Sequence, residues 1–233
     1  MKLDILVFAA HPDDIELSCS GTIIKHIRNG FKVGVIDLTQ GELGTRGDAE
    51  TRSAEALEAS KIMGVHLREN LKFDDGFFAN DKNHQLCMIK KIREYQPEII
   101  ITNAPSDRHP DHAGASELTI DSAFLSGLEK INTNQPIWRP NFIYHYIQFN
   151  SLEPNIFVDI SDSFEDKLNA VKAYKSQFYD PKSNESQTVI SSKDFLDSIE
   201  YRAKDLGRQA FCKYAEGFIS HQIPKVNLLT DIK

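Results

Sequence analysis

The chain has 233 residues, is 40% hydrophobic and 26% charged, and carries a net charge of -7. That length buries a core without disulfide or metal staples, and the composition is that of an ordinary globular protein. The acidic balance argues against a general nucleic-acid binder, which carries a basic face, although a few local arginines still suffice to capture an anion. Cys19, Cys87 and Cys212 are scattered and form neither a CxxC pattern nor a disulfide framework, which suits a reducing interior. The N-terminus lacks a signal-peptide cleavage pattern. No apolar run approaches the roughly 20 residues that span a bilayer. The expectation is a cytoplasmic protein with neither a membrane nor a nucleic-acid partner.

Ile5 to Ala10 is a continuous apolar run and predicts a strand buried on both faces. Ile15 to Arg28 has helical spacing and stops at Asn29-Gly30. Phe31 to Leu38 predicts a second strand, Gln40 to Asp48 a glycine-rich loop, and Ala49 to Met63 a helix closed by Gly64. Leu67 to Phe73 predicts a third strand and Gln85 to Tyr95 a helix. Glu98 to Thr102 predicts a fourth strand, Pro105 to Pro110 a loop and Asp111 to Leu128 a helix. The alternation implies βαβ units: an α/β, Rossmann-like, doubly wound and mostly parallel sheet with helices on both faces. The C-terminal third is less regular. It offers strands at Asn141 to Phe149 and Ile156 to Ile160, and a helix from Ser161, as its cap, to Ser176. A polar, flap-like segment over 177–192 and a helix from Lys193 to Cys212 follow. One domain over 1–233 is expected.

Two clusters stand at strand exits: His11-Pro12-Asp13-Asp14 and Asp107-Arg108-His109-Pro110-Asp111-His112. Open α/β sheets bind ligands outside the carboxyl ends of their strands. His11 and Asp14 sit three apart on a tight turn, and His112 starts a helix. Two histidines and one carboxylate leave positions open for water and substrate, as catalytic zinc sites do; iron(II) suits the same donors. Asp13, beside the ligands, is the candidate base. His109, one turn before His112, can stabilise an oxyanion when protonated, with Asp111 bonding its imidazole and raising its pKa. Helix capping by Asp13, Asp14 or Asp111 is the competing reading. His26, His66, His84 and His221 lack a partner at ligand spacing, and His145 reads as a packing residue. Gly41 to Gly47 is not a GxGxxG fingerprint. Arg46 and Arg52 can meet an anionic ligand there, or Arg52 can pair with Glu55 on its helix.

At these residues the sequence resembles the PIG-L/LmbE-like deacetylases. The resemblance rests on Ala10 to Asp14, Thr39-x-Gly41-Glu42, Thr51 to Glu55, and His109 to His112. Tyr174 to Gln177 and the tail Ala215 to Phe218 support it. It implies a Rossmann-like fold and a zinc-dependent enzyme that removes acetyl groups from N-acetylglucosamine-containing substrates. It also implies His11, Asp14 and His112 as ligands, Asp13 as base, His109 facing the oxyanion and Asp111 supporting it. Arg52 would contact the sugar, and Glu42 is a further match. Phe73 to Phe78 and Ser106 to His109 look most like the bacillithiol-biosynthesis branch, which converts N-acetylglucosaminyl-malate to glucosaminyl-malate. A dicarboxylate aglycone would then find Arg46, Arg52 and Arg108. Homo-oligomers, hexamers among them, are implied too. Other readings are a deacetylase of another N-acetylglucosamine conjugate, a non-catalytic metal- or nucleotide-binding protein, and a metallophosphoesterase. The last would call for more bridging carboxylates than the clusters supply.

Overall fold

A computed structural model describes residues 1–223 and 225–228. The elements in order are β1 (Ile5–Ala9), α1 (Asp14–Ser18), α2 (Ser20–Arg28), β2 (Val33–Thr39), α3 (Ala49–Met63), β3 (Leu67–Phe73) and α4 (Lys82–Tyr95). They continue with β4 (Ile99–Thr102), α5 (Pro110–Ser126), β5 (Phe142–Tyr146), β6 (Ile156–Asp159), α6 (Phe164–Lys172), α7 (Lys193–Gln209) and β7 (Ala215–Ile219). The strands form one sheet in the order β3-β2-β1-β4-β5-β7-β6. The first five pair in parallel, and β7 runs antiparallel to both β5 and β6.

Strand alternation divides the core between the two faces of the sheet. Ile5, Val7 and Ala9 of β1 pack with α2, α3 and the C-terminal helices on one side. Leu6, Phe8 and Ala10 pack with α4 and α5 on the other. Every residue of β1 and β2 is buried, as a strand covered on both faces requires. Strand order reverses at β1, which has β2 on one side and β4 on the other. The carboxyl ends of β1 and β4 therefore flank the crevice where such sheets bind ligands, and each His/Asp cluster follows one of these two strands.

Three elements differ from the sequence reading. The helix expected over Ile15 to Arg28 is broken at Cys19, whose φ is -135°. The break is held from outside. Lys167 Nζ donates to the carbonyls of Glu16 and Leu17 at the end of α1, 3.2 and 2.8 Å away. Glu216 accepts the Gly21 and Thr22 amides that open α2, at 3.0 and 2.7 Å. No local pattern announces partners that lie about 150 and 195 positions along the chain. Ser161 does not cap α6; its hydroxyl and amide bond Asp159, and the helix starts at Phe164. The strand β7 covers the tail Ala215 to Phe218, to which the sequence reading assigns no element. Glu216 is buried against Lys167 at 2.7 Å, and a Cβ at Gly217 would press on Pro154.

Candidate active site

The exit of β1 turns sharply. Asp13 has a φ of 114°, a left-handed conformation uncommon outside glycine. The turn places Asp14 at the first position of α1 and leaves Asp13 facing Arg52. At the exit of β4, Asn103 ties the two loops together. Its Oδ1 accepts the Ala10 amide at 3.0 Å, and its Nδ2 donates to Asp14 Oδ2 at 3.0 Å. Pro110 sits in the first turn of α5 and His109 caps that helix, so His112 is carried on its first turn.

These loops bring together all six sequence-predicted ligand and acid–base residues. His112 Nε2 lies 3.2 Å from Asp14 Oδ1, and His11 Nδ1 lies 3.7 Å from Asp14 Oδ2. The far side of each ring rests on another carboxylate. His112 Nδ1 is 2.8 Å from Asp107 Oδ2. His11 Nε2 is 3.0 Å from Asp75 Oδ1 and 3.2 Å from Asp111 Oδ2. The His109 ring stands edge-on to His11, with centroids 4.7 Å apart. Ring nitrogens of His11, His109 and His112 lie within 4.8 Å of one another, and so do donors of His11, Asp75 and Asp111.

Charge follows from this packing. Burial works against ionisation of Asp14, yet His112 and His11 hold its carboxyl well below the usual range. Burial likewise opposes a charge on His112, which Asp14 and Asp107 nevertheless push up to about 9. Burial raises the Asp13 carboxyl to about 7, with Arg52 pulling it down. Arg52 Nη2 donates to Asp13 Oδ2 at 2.8 Å and to the Pro12 carbonyl. Glu55 is occupied elsewhere, accepting from the amide and hydroxyl of Ser176, so the helix-surface pair for Arg52 is not formed. Gly41, at φ +65°, is where the glycine-rich loop crosses Arg52; a Cβ there would collide with the guanidinium.

The expected support of His109 by Asp111 is corrected. The Asp111 carboxylate turns to His11 and accepts the Gly76 amide at 2.9 Å. His109 Nδ1 instead accepts the Asp111 backbone N–H at 3.3 Å. Burial, then His11 and His112, lower the His109 pKa rather than raise it. With Nδ1 an acceptor, the neutral ring keeps its proton on Nε2 and remains a donor.

A cavity of about 610 Å³ opens over this cluster, and Arg46, Arg52 and Arg108 line it. Arg46 is buried and held by the 177–192 segment, donating to Ser183 Oγ at 2.6 Å and Glu185 Oε2 at 3.2 Å. The Arg108 guanidinium lies over Phe149, 4.6 Å from the ring centroid. Glu42 stands outside the cavity wall; it accepts the amides of Gln40 and Asp75 and so braces the Asp75 turn. Sequence reasoning gave no role to Asp75, Asn103, Asp107 or Gln148. Gln148 Nε2 donates to Asp14 Oδ1 at 2.8 Å. The signal available was position: Asp75, Asn103 and Gln148 each follow a strand of the sheet within two residues.

Comparison with known proteins shows the family. Residues 6–123 match the family model PIG-L, described as GlcNAc-PI de-N-acetylase. The diacetylchitobiose deacetylase of Thermococcus kodakarensis is 32% identical over 187 residues, covering 75% of this chain and 70% of that protein. A Bacillus subtilis protein named "Probable N-acetyl-alpha-D-glucosaminyl L-malate deacetylase 2" is 28% identical over 199 residues, covering 76% of this chain and 84% of that one. The crystal structure of the conserved protein TT1542 from Thermus thermophilus superposes with a TM-score of 0.88 at 33% identity, covering 97% and 98% of the two chains. The fold, the paired clusters and these matches together make the chain a member of the PIG-L family.

Proposed function

We propose that the protein is a metal-dependent N-deacetylase of N-acetylglucosaminyl conjugates. Its preferred substrate on this reading is N-acetylglucosaminyl-malate, hydrolysed to glucosaminyl-malate and acetate as in bacillithiol biosynthesis. The observation that carries the reading is the division of labour around Asp14. Two imidazoles face that carboxylate, while Asp13, next in the chain, is turned away to Arg52 and stays available for proton transfer.

The donor set fits zinc or ferrous iron held by His11, Asp14 and His112. His112 Nε2 lies 3.2 Å from one oxygen of Asp14 and His11 Nδ1 lies 3.7 Å from the other, spans of the order of the roughly 3.3 Å between ligand atoms around a tetrahedral zinc. The carboxylates behind His11 and His112 are the partners that metal-ligating histidines use to fix their orientation. Asp75 and Asp111 take that supporting place on this reading, because they meet His11 at Nε2, the nitrogen on the far side of the ring from Asp14. The ion would supply Lewis acidity and lower the pKa of a water in the site.

The chain's own residues then do the proton work. Asp13 takes a proton from water as its oxygen bonds to the acetamide carbon. Arg52 holds the Asp13 carboxylate in place through that transfer. His109 Nε2–H donates to the oxyanion of the tetrahedral intermediate. When the C–N bond breaks, the Asp13 proton passes to the departing amine, with His109 as the alternative donor.

The test is an amine-release assay on metal-loaded protein. N-acetylglucosaminyl-malate is compared with free N-acetylglucosamine and with other N-acetylglucosaminyl conjugates. The expected result is release from conjugates, with the malate conjugate preferred. No release from any of them would overturn the deacetylase reading, and a preference for another conjugate would overturn the branch.

A further inference from the structure

Five lysine and arginine side chains line the cavity, and they fall into two kinds. Arg46 pairs with Glu185 at 3.2 Å, Arg52 with Asp13 at 2.8 Å, and Lys167 with Glu216 at 2.7 Å. Arg108 and Arg202 form no ion pair with any described residue. The Arg108 guanidinium carbon lies over the Phe149 ring at 4.6 Å, and its side chain makes no hydrogen bond to a described residue. Arg202, which the sequence reading passed over, makes no side-chain hydrogen bond to a described residue either.

The placement of Arg202 is specific. Phe195, Ser198, Ile199, Arg202, Ala203 and Leu206 recur at three- and four-residue steps along α7, and all six line the cavity. Arg202 is the one charge on that face. Burial works to lower its pKa while the charge of Asp107 raises it, and a guanidinium stays protonated through such a shift. Asp107 is already engaged. One oxygen faces His112 Nδ1 at 2.8 Å and the Phe149 amide at 3.3 Å. The other takes the amides of Arg108 and Asn150 at 2.7 and 2.9 Å. The rings of Phe149 and Phe195 stack at 6.4 Å, so the stretch of wall carrying Arg108 is continuous with α7. A partly buried cation with no ion pair of its own, whose nearby carboxylate already meets four other nitrogens, is unfavourable unless a ligand completes it. The planar fork of donors matches a carboxylate.

We propose that Arg202 is a specificity residue that reads a carboxylate on the aglycone of the conjugate. This rests on the deacetylase reading above and adds to it. A neutral aglycone leaves the Arg202 fork unmatched, whereas a malyl group carries carboxylates to it.

The experiment compares wild type, Arg202→Gln and Arg202→Lys on two metal-loaded reactions, with N-acetylglucosaminyl-malate and with the neutral methyl N-acetylglucosaminide. Losing a charge-assisted hydrogen bond to a carboxylate costs about 10- to 100-fold in binding. In Arg202→Gln the KM for the malate conjugate should rise by that factor relative to the KM for the methyl glycoside, with the change in KM and not in kcat. Arg202→Lys, which keeps the charge but not the fork, should recover part of it. An equal loss on both substrates would reduce Arg202 to a structural role and overturn the proposal, as would an unchanged KM for the malate conjugate. Titration calorimetry with free L-malate separates the two levels of inference. If wild type hydrolyses neither conjugate, the deacetylase reading fails, and weaker malate binding by Arg202→Gln still supports the subsite. Equal binding by both proteins sinks it.

Discussion

The exits at the carboxyl ends of the parallel strands and the antiparallel edge, β7 and β6, treat buried charge in opposite ways. At the parallel exits Asp13, Asp14, Asp75, Asp107 and Asp111 crowd around three imidazoles beneath an open cavity. At the edge, Lys167 and Glu216 neutralise each other and spend their remaining bonds on backbone groups of α1 and α2. The first arrangement keeps charge facing space that a ligand can enter. The second pairs its charges with each other in the wall of the same cavity and uses them to hold a broken helix. The family match over residues 6–123 spans the first arrangement and stops before Lys167 and Glu216. Chemistry and scaffold should therefore come apart on mutation.

Asp13→Asn gives the largest expected effect. Asparagine tolerates the left-handed φ of this position but cannot take a proton. Turnover should fall by about 10²- to 10⁴-fold, while metal content, measured by elemental analysis, stays at the wild-type level. Wild-type turnover with metal in place would remove Asp13 from the mechanism. Lys167→Met tests the other side. It strands Glu216, 3% exposed, without its cation, and removing one partner of a buried pair costs about 3–5 kcal/mol. Urea unfolding should show that loss, and protein still folded should bind metal normally. Lost metal affinity at unchanged stability would erase the distinction between the two regions.

The same distinction explains what the sequence revealed. Much of the parallel part is legible locally: β1, β2 and β4 lie in mostly apolar runs, and α3 ends at a recognisable stop, Gly64. Both clusters follow such runs, so their convergence could be inferred from the fold class alone. The edge is written in distant pairs. Glu216 in β7 reads as polar until Lys167 is known to cover it, and the gap between α1 and α2 is visible only through both. The His109–Asp111 expectation failed for a related reason. Spacing put the two residues side by side, but the Asp111 carboxylate is claimed by His11 from another loop. Asp107, which stands in the second cluster itself, was passed over because its role depends on the direction in which His112 turns.

Asp107→Asn is the third prediction and sharpens the account of the site. An amide at this position weakens the hold on His112 Nδ1 without opening a cavity. Loss of such a supporting partner typically costs 10- to 100-fold in metal affinity or activity. A competition titration against a chelator should show a loss in that range. Unchanged affinity would mean that His112 is oriented by Asp14 alone.

The smallest effect is expected where the 177–192 segment meets the glycine-rich loop at Arg46. Arg46 is buried, its side chain 4% exposed, but its partner Glu185 is 45% exposed on the 177–192 segment. Solvent screens one end of this pair, which places it nearer to surface ion pairs, worth about 0–1 kcal/mol, than to Lys167–Glu216. Glu185→Gln retains a side-chain oxygen for Gly47 N–H, which Glu185 accepts at 3.2 Å, and Ser183 still accepts from Arg46. The melting temperature should drop by less than about 4 °C, the shift that 1 kcal/mol gives in a chain of this size, and the drop should shrink further in high salt. A loss as large as that of Lys167→Met would mean that the segment is locked to the parallel part of the sheet as firmly as β7 is locked to α2. Arg46 would then belong with the structural charges rather than with those left facing the ligand.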